Sequence, residues 1–238
     1  MQLPKIAQQE YSLELPLSKK KIKFRPFRVA EEKVLLTALE GYQGNDTSEI
    51  TDAVLSVTQA CITTKGIEAD TLPSVDVEFL FLNMRKKSIG EIVEVLAPCD
   101  KCHEHNKVKF NLNNTVLVVP EGHSSKIFLT DTVGVVMKHP TLDFSLGVLS
   151  KSNKIEVMFD IIIDSIETIF DGENFEKAEN FKKDDLKTWV ETFDPQSFRK
   201  LYAFFETMPH LQTKQKYKCT KCNEENELEV NGSADFFG

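Results

Sequence analysis

Cys99-Asp-Lys-Cys-His-Glu-His-Asn-Lys-Val-Lys-Phe-Asn111 and Cys219-Thr-Lys-Cys-Asn-Glu-Glu-Asn-Glu-Leu-Glu-Val-Asn231 can be laid over one another. They share C, K, C, E, N and the final N in register, so the chain carries an internal repeat of about a dozen residues. Each copy opens with CxxC and runs into an alternating, strand-like stretch. Two residues between cysteines make a tight turn that can bring both thiolates to one ion at about 2.3 Å. Two such turns supply a closed tetrahedral site. Cys99, Cys102, Cys219 and Cys222 are therefore the expected ligands of one structural Zn2+, with an iron–sulfur centre or unligated packing turns as the alternatives. A four-thiolate sphere leaves no open position for water or substrate, so its role is stability rather than catalysis. Everything from His103 to Lys218 lies between the two pairs, so the ion ties the middle of the sequence to its C-terminal end.

Composition sets the background for this site. The 238 residues, 41% hydrophobic and 28% charged, are ordinary for a globular chain, and 17 Phe against one Trp and four Tyr point to a phenylalanine-rich core. A net charge of -8 opposes general attraction to nucleic acid, which clustered Lys and Arg would drive. No run approaches the roughly 20 apolar residues that cross a bilayer, and Met1–Ser18 lacks a signal-like apolar stretch, so no membrane association is expected and a cytosolic location is. Five cysteines in a reducing compartment, four of them in CxxC pairs, read as metal ligands rather than disulfides.

Outward from the knuckles, the pattern gives an α+β chain: a mostly helical body, an N-terminal β-hairpin and a ribbon-like antiparallel sheet formed by the two CxxC knuckles. The expected layout is a single domain over 1–238, with an arm and hairpin at 1–28, helices at 29–88, the first knuckle and its strands at 89–120, a mainly helical stretch at 121–211 and the second knuckle at 212–238. Tyr11, Leu13 and Leu15 alternate with polar neighbours, as do Ile22 and Phe24. A helix from Val29 ends at Gly41; Asn45–Ser48 offer caps for a second through Ile50, Ala53, Val54, Val57 and Cys61; a third starts near Ser74 and buries Val77, Leu80, Phe81 and Met84. Glu91–Leu96 and Lys107–Val119 read as strands. Lys126–Ser150 fits neither periodicity, Ile155–Phe170 reads as helix, and Asp171–Lys183 as a solvated loop. Asp184 and Asp194 are expected N-caps of two last helices, with Pro195 at N1 of the second.

Catalytic alternatives fare poorly. A zinc deaminase needs an HxE segment before its PCxxC, and no histidine precedes His103. His103-Glu-His105 is not HExxH, so these histidines read as knuckle surface. Cys61 reads as a small core residue, and His123, His139 and His210 carry no assigned chemistry. Lys19–Lys21, Lys23, Arg25 and Arg28 suit either a lysine-protected edge strand or contact with an acidic partner. No P-loop, dinucleotide fingerprint or GxSxG elbow is present, so no enzyme is expected.

Lys21–Glu40 (KIKFRPFRVAEEKVLLTALE), Val77–Glu94 (VEFLFLNMRKKSIGEIVE) and the CxxC that follows resemble the baseplate hub assembly proteins of T-even-like tailed bacteriophages. The resemblance is densest over Leu13–Asn111 and around the second CxxC; Leu112–Leu211 follows by length and helix pattern. It implies a phage protein that acts in the host cytoplasm, and stays or not in the finished tail, while the central hub of the baseplate is built. Its implied partners are hub proteins or other hub assembly factors, and it carries over no catalytic residues. The resemblance leaves a permanent minor hub subunit as the alternative; a separate and less favoured reading is a nucleic-acid-binding zinc-ribbon regulator, which the acidic Asn223–Glu229 of the second knuckle opposes.

Overall fold

The computed structural model describes residues 6–7, 9–41, 48–142 and 154–231. The capping residues expected at Asn45–Asp46–Thr47 lie outside them. Strands β1 (Tyr11–Glu14) and β2 (Lys21–Phe24) form the first hairpin, followed by helices α1 (Val29–Gly41), α2 (Ser48–Cys61) and α3 (Ser74–Ser88). Alternation puts Ile22 and Phe24 of β2 into one apolar cluster with Leu15, Phe27, Val57, Cys61, Val77, Leu80, Phe81 and Met84.

Helix α3 organises this half from its two ends. Its first-turn Asp76 is fully buried, and its two carboxylate oxygens accept the backbone N–H groups of Leu17 and Ser18 at 2.8 Å each. A carboxylate there also suits the positive end of the helix dipole. At the other end, the Phe27 amide donates to Ser88 Oγ at 2.9 Å. Arg25 closes the hairpin exit by donating to Glu31 at 2.7 Å and to the Ala60 carbonyl at 2.9 Å.

Opposite the first cluster, α3 turns Leu82 toward a second, small one with Val93, Phe110, Leu112 and Val230. Val93 and Phe110 belong to one knuckle-bearing hairpin and Val230 to the other, and Leu112 directly follows the first. Strands β3 (Ile92–Pro98) and β4 (His105–Asn111) pair from Ile92↔Asn111 to Pro98↔His105. Strands β10 (His210–Lys218) and β11 (Glu225–Asn231) pair from Gln212↔Asn231 to Lys218↔Glu225, and the start of β10 also pairs with β5 (Val116–Val118). The hairpins stay in separate sheets rather than merging into one ribbon. The strand expected over Lys107–Val119 breaks at Leu112–Asn114, a 3-10 turn capped where the Asn113 amide donates to the Asn111 side chain.

The stretch expected to be mainly helical, 121–211, holds three helices and, beside them, an unexpected four-stranded antiparallel sheet in the order β6 (Lys126–Phe128), β7 (Val133–Met137), β8 (Ile166–Asp171), β9 (Asn174–Lys177) among its described residues. The helix read through Phe170 is α4 (Lys154–Ser165) and stops where Ile166 pairs with Met137. The expected loop at Asp171–Lys183 holds β9 and a 3-10 turn. Gly134 is required at the sheet's centre, because a Cβ there would collide with the Ile127 carbonyl and the Phe170 ring. Helices α5 (Lys183–Glu191) and α6 (Pro195–Glu206) cover the sheet around Ile162, Ile163, Leu186, Leu201 and Phe204. Asp194 caps α6, accepting from the amides of Gln196 and Ser197, and Pro195 opens it. Asp184 is not a cap: α5 begins after Lys182, and Asp184 and Asp185 fill its first turn, where they favour the dipole. The described chain is thus α+β, with more strand than its periodicity suggested.

Candidate metal centre

Each knuckle is a tight turn closing one hairpin. In the first, the Cys99 amide donates to the Glu104 carbonyl at 2.9 Å and the His103 amide to the Cys99 carbonyl at 2.9 Å; in the second, Cys219 to Glu224 and Asn223 to Cys219 repeat both bonds at 2.8 and 3.0 Å. Closing the turn demands a left-handed residue after the second cysteine. His103 and Asn223 take that place at φ 58° and 59°.

The four sulfurs lie within 4.8 Å of one another, so the cluster can hold a metal ion. Cys99 Sγ lies 3.6 Å from Cys222 Sγ and Cys102 Sγ 3.6 Å from Cys219 Sγ. Four sulfurs about 2.3 Å from a tetrahedral centre would stand about 3.8 Å apart, so the cradle fits an ion with little movement. Cys99 and Cys219 are buried, Cys102 and Cys222 half-buried. The backbone N–H of Cys102 holds the Cys99 thiol below its ordinary range, and that of Cys222 draws the Cys219 thiol down to about 6. Cys222 also meets the Glu224 amide, yet burial and the sulfurs of Cys102, Cys219 and Cys99 push it up to about 12. Crowded thiols cannot all ionise by themselves. A divalent cation held by Cys99, Cys102, Cys219 and Cys222 would offset that repulsion and favour the ionised thiolates.

The repeat explains itself at this junction. Lys101 reaches Glu224 at 2.9 Å and Lys221 reaches Glu104 at 3.0 Å. Asn226 Oδ1 accepts the Asp100 amide at 3.0 Å, and Asn106 Oδ1 accepts the Thr220 amide at 2.9 Å. The shared K, E and N are therefore crossed contacts, each half-site gripping the other about a local pseudo-twofold axis. Tyr217 adds a bond from its hydroxyl to the Pro98 carbonyl at 2.7 Å.

The other singled-out residues add no sulfur to this centre. His103 and His105 are exposed on the first knuckle, as expected. Cys61 is fully buried in the N-terminal core, and its thiol is pushed up to about 11 by burial. His123 and His139, assigned no chemistry from the sequence, face each other Nε2 to Nε2 at 3.1 Å over the Phe204 ring. Thr207 spends its hydroxyl proton on the Ala203 carbonyl at 2.8 Å, so it accepts from His123 Nδ1 at 3.1 Å. With both rings uncharged, His123 Nε2 is then the acceptor and His139 Nε2 the donor, and burial, which draws both rings below their ordinary value, favours that uncharged pair. Nothing in the sequence signals this pair, whose members are 16 positions apart across a hairpin.

These features define a mixed α+β chain whose two repeated hairpins meet at a four-cysteine cradle able to take one metal ion as a cross-brace. The chain belongs to the T4 bacteriophage base plate protein family, whose model matches residues 8–238. Neither curated proteins nor solved structures give a match. Among the described residues no helix is long and apolar enough to cross a membrane.

Proposed function

We propose that this chain is a non-enzymatic assembly protein for the central hub of the phage baseplate, acting in the host cytoplasm with one structural zinc as its internal staple. The observation that carries the first half is the family match over 8–238. What supports the second is the closed set of four sulfurs, which would leave an ion no open position for substrate. Hub subunits are the proposed partners. Helix α1, where Val29 is 79% and Leu36 55% exposed, is the proposed docking element. Nucleic acid fits poorly, because Lys214, Lys216 and Lys218 on β10 pair in register with Glu229, Glu227 and Glu225 on β11.

Co-expression tests the role. Hub proteins produced with this chain should yield assembled hub; without it they should fail or misassemble. Equal assembly in its absence would end the assembly reading. The family's description as a base plate protein favours a second reading, a permanent minor subunit. Mass spectrometry of purified particles separates the two: fixed stoichiometry supports the subunit, and absence or sub-stoichiometric amounts support the assembly factor.

A further inference from the structure

The pseudo-twofold relation between the knuckles is broken at the Asn106 side chain. Asn106 and Asn226 occupy equivalent places, both buried at 3% and 6% exposure, seven residues beyond the first cysteine of their turns. Each uses its oxygen to accept a backbone N–H from the opposite knuckle, and each donates from Nδ2 to its own knuckle's glutamate carbonyl, Glu104 at 2.8 Å and Glu224 at 3.0 Å. Asn106 Nδ2 does one thing more: it lies 3.7 Å from Cys219 Sγ, within hydrogen-bond reach of sulfur. No such contact links Asn226 to a sulfur among the described residues. Asn106 Oδ1 also accepts the Thr220 hydroxyl at 3.0 Å, a bond with no counterpart on the other side, where Asp100 stands at the equivalent position.

We infer that Asn106 is a positioning residue for the metal site: its side-chain N–H donates to the Cys219 thiolate and makes the second knuckle's leading sulfur electronically distinct from Cys99. The inference rests on the metal reading of the four cysteines. An N–H bond to a coordinated thiolate withdraws charge from sulfur, slows protonation of the ligand and fixes the direction from which it meets the ion. Cys219 already receives the Lys221 amide at 3.4 Å. With Asn106 it gains a donor from the other half of the site, so the two halves communicate through a ligand as well as around it. Thr220 locks the amide in the required orientation, since its hydroxyl and N–H both need the oxygen at that place.

The near-equivalence of the two asparagines supplies its own control. Asn106→Ala and Asn226→Ala remove the same cross-knuckle acceptor, and the first also removes the donor to sulfur and the acceptor of the Thr220 hydroxyl; Thr220→Val, which removes that hydroxyl alone, should leave the metal spectra and affinity near wild type. The full chain, loaded with Co2+, should keep its thiolate-to-cobalt charge-transfer band in place in Asn226→Ala and shift it in Asn106→Ala. Zinc affinity by chelator competition should fall by about 10- to 100-fold in Asn106→Ala, and by clearly less in Asn226→Ala. A readout on the wild-type chain needs no variant that must fold: with 113Cd bound, the Asn106 side-chain amide protons should show scalar coupling to the metal through the N–H···S bond, and those of Asn226 should not. Coupling at neither amide, or identical spectra and affinities for the two variants, would overturn the role of Asn106 while leaving the metal site standing. Failure of the wild-type chain to bind Co2+, Zn2+ or 113Cd would overturn the metal reading itself, and Asn106 with it.

Discussion

Lys101 on the first knuckle reaches across to Glu224 on the second at 2.9 Å, and the repeat returns the contact, Lys221 to Glu104 at 3.0 Å. Both pairs sit at the surface, with lysine side chains 65% and 64% exposed. Exposed pairs of this kind contribute little, because solvent screens them and two long side chains must be held in one geometry. Lys101→Ala should therefore lower the denaturation midpoint only slightly, and in a double-mutant cycle with Glu224→Ala the two effects should be close to additive. A strongly non-additive cycle would mean that the ion pairs, not the sulfurs, hold the knuckles together.

Asp76 is a stricter case. Its buried carboxylate accepts two backbone amides from the turn of the first hairpin. Asp76→Ala leaves both donors without their partner and should cost about 2–4 kcal/mol in urea unfolding. Asp76→Asn keeps one carbonyl acceptor and should cost less. Equal midpoints for wild type and Asp76→Ala would show that the hairpin does not depend on α3.

The facing histidines make stability depend on pH with a definite sign. Burial holds both His123 and His139 below the ordinary value of 6.5; for His139, charge repulsion from His123 adds to this, and Asp76 partly opposes it. The folded chain thus binds fewer protons than the unfolded chain as the pH falls past 6.5. The stabilisation is present above that value and is lost as the pH drops from it through the lowered values of the folded pair. Thermal unfolding followed from pH 7.5 to 5 should show a steeper acid loss for wild type than for His139→Gln. Parallel curves would contradict the neutral pair.

Gly134→Ala tests the central sheet. The added methyl meets the Ile127 carbonyl and the Phe170 ring, so the midpoint should fall by an amount corresponding to about 1–3 kcal/mol. An unchanged midpoint would mean that β6, β7 and β8 are packed less closely than described.

The knuckles were legible in the sequence because their repeat is local: CxxC fixes a turn, and alternation after it fixes a strand. The same holds for Ile22 and Phe24 of β2 and for Val77, Leu80, Phe81 and Met84 of α3, each set buried on the face its period gives. What the repeated Lys, Glu and Asn do was not legible, since each acts on the opposite knuckle more than a hundred positions away. Ile161–Ile163 and Ile166–Phe170 read as one helix because a dense apolar run carries no clear period; pairing of Ile166–Asp171 with β7 decides the second part as strand. Strand β9 is exposed along its whole length, and only its ladder with β8 makes it a strand. Side-chain pairs such as His123 with His139 exist only after the hairpins fold.

The proposed ion would join Cys99, Cys102, Cys219 and Cys222 across a span of 123 positions. The most direct measurement is metal content by elemental mass spectrometry on chain purified without chelator, beside the melting temperature, for wild type and Cys219→Ser. The expected result is about one zinc per wild-type chain and, in the variant, loss of the metal together with a marked fall in melting temperature. No metal in the wild type, with a melting temperature that Cys219→Ser leaves unchanged, would contradict it and reduce the paired knuckles to packing turns.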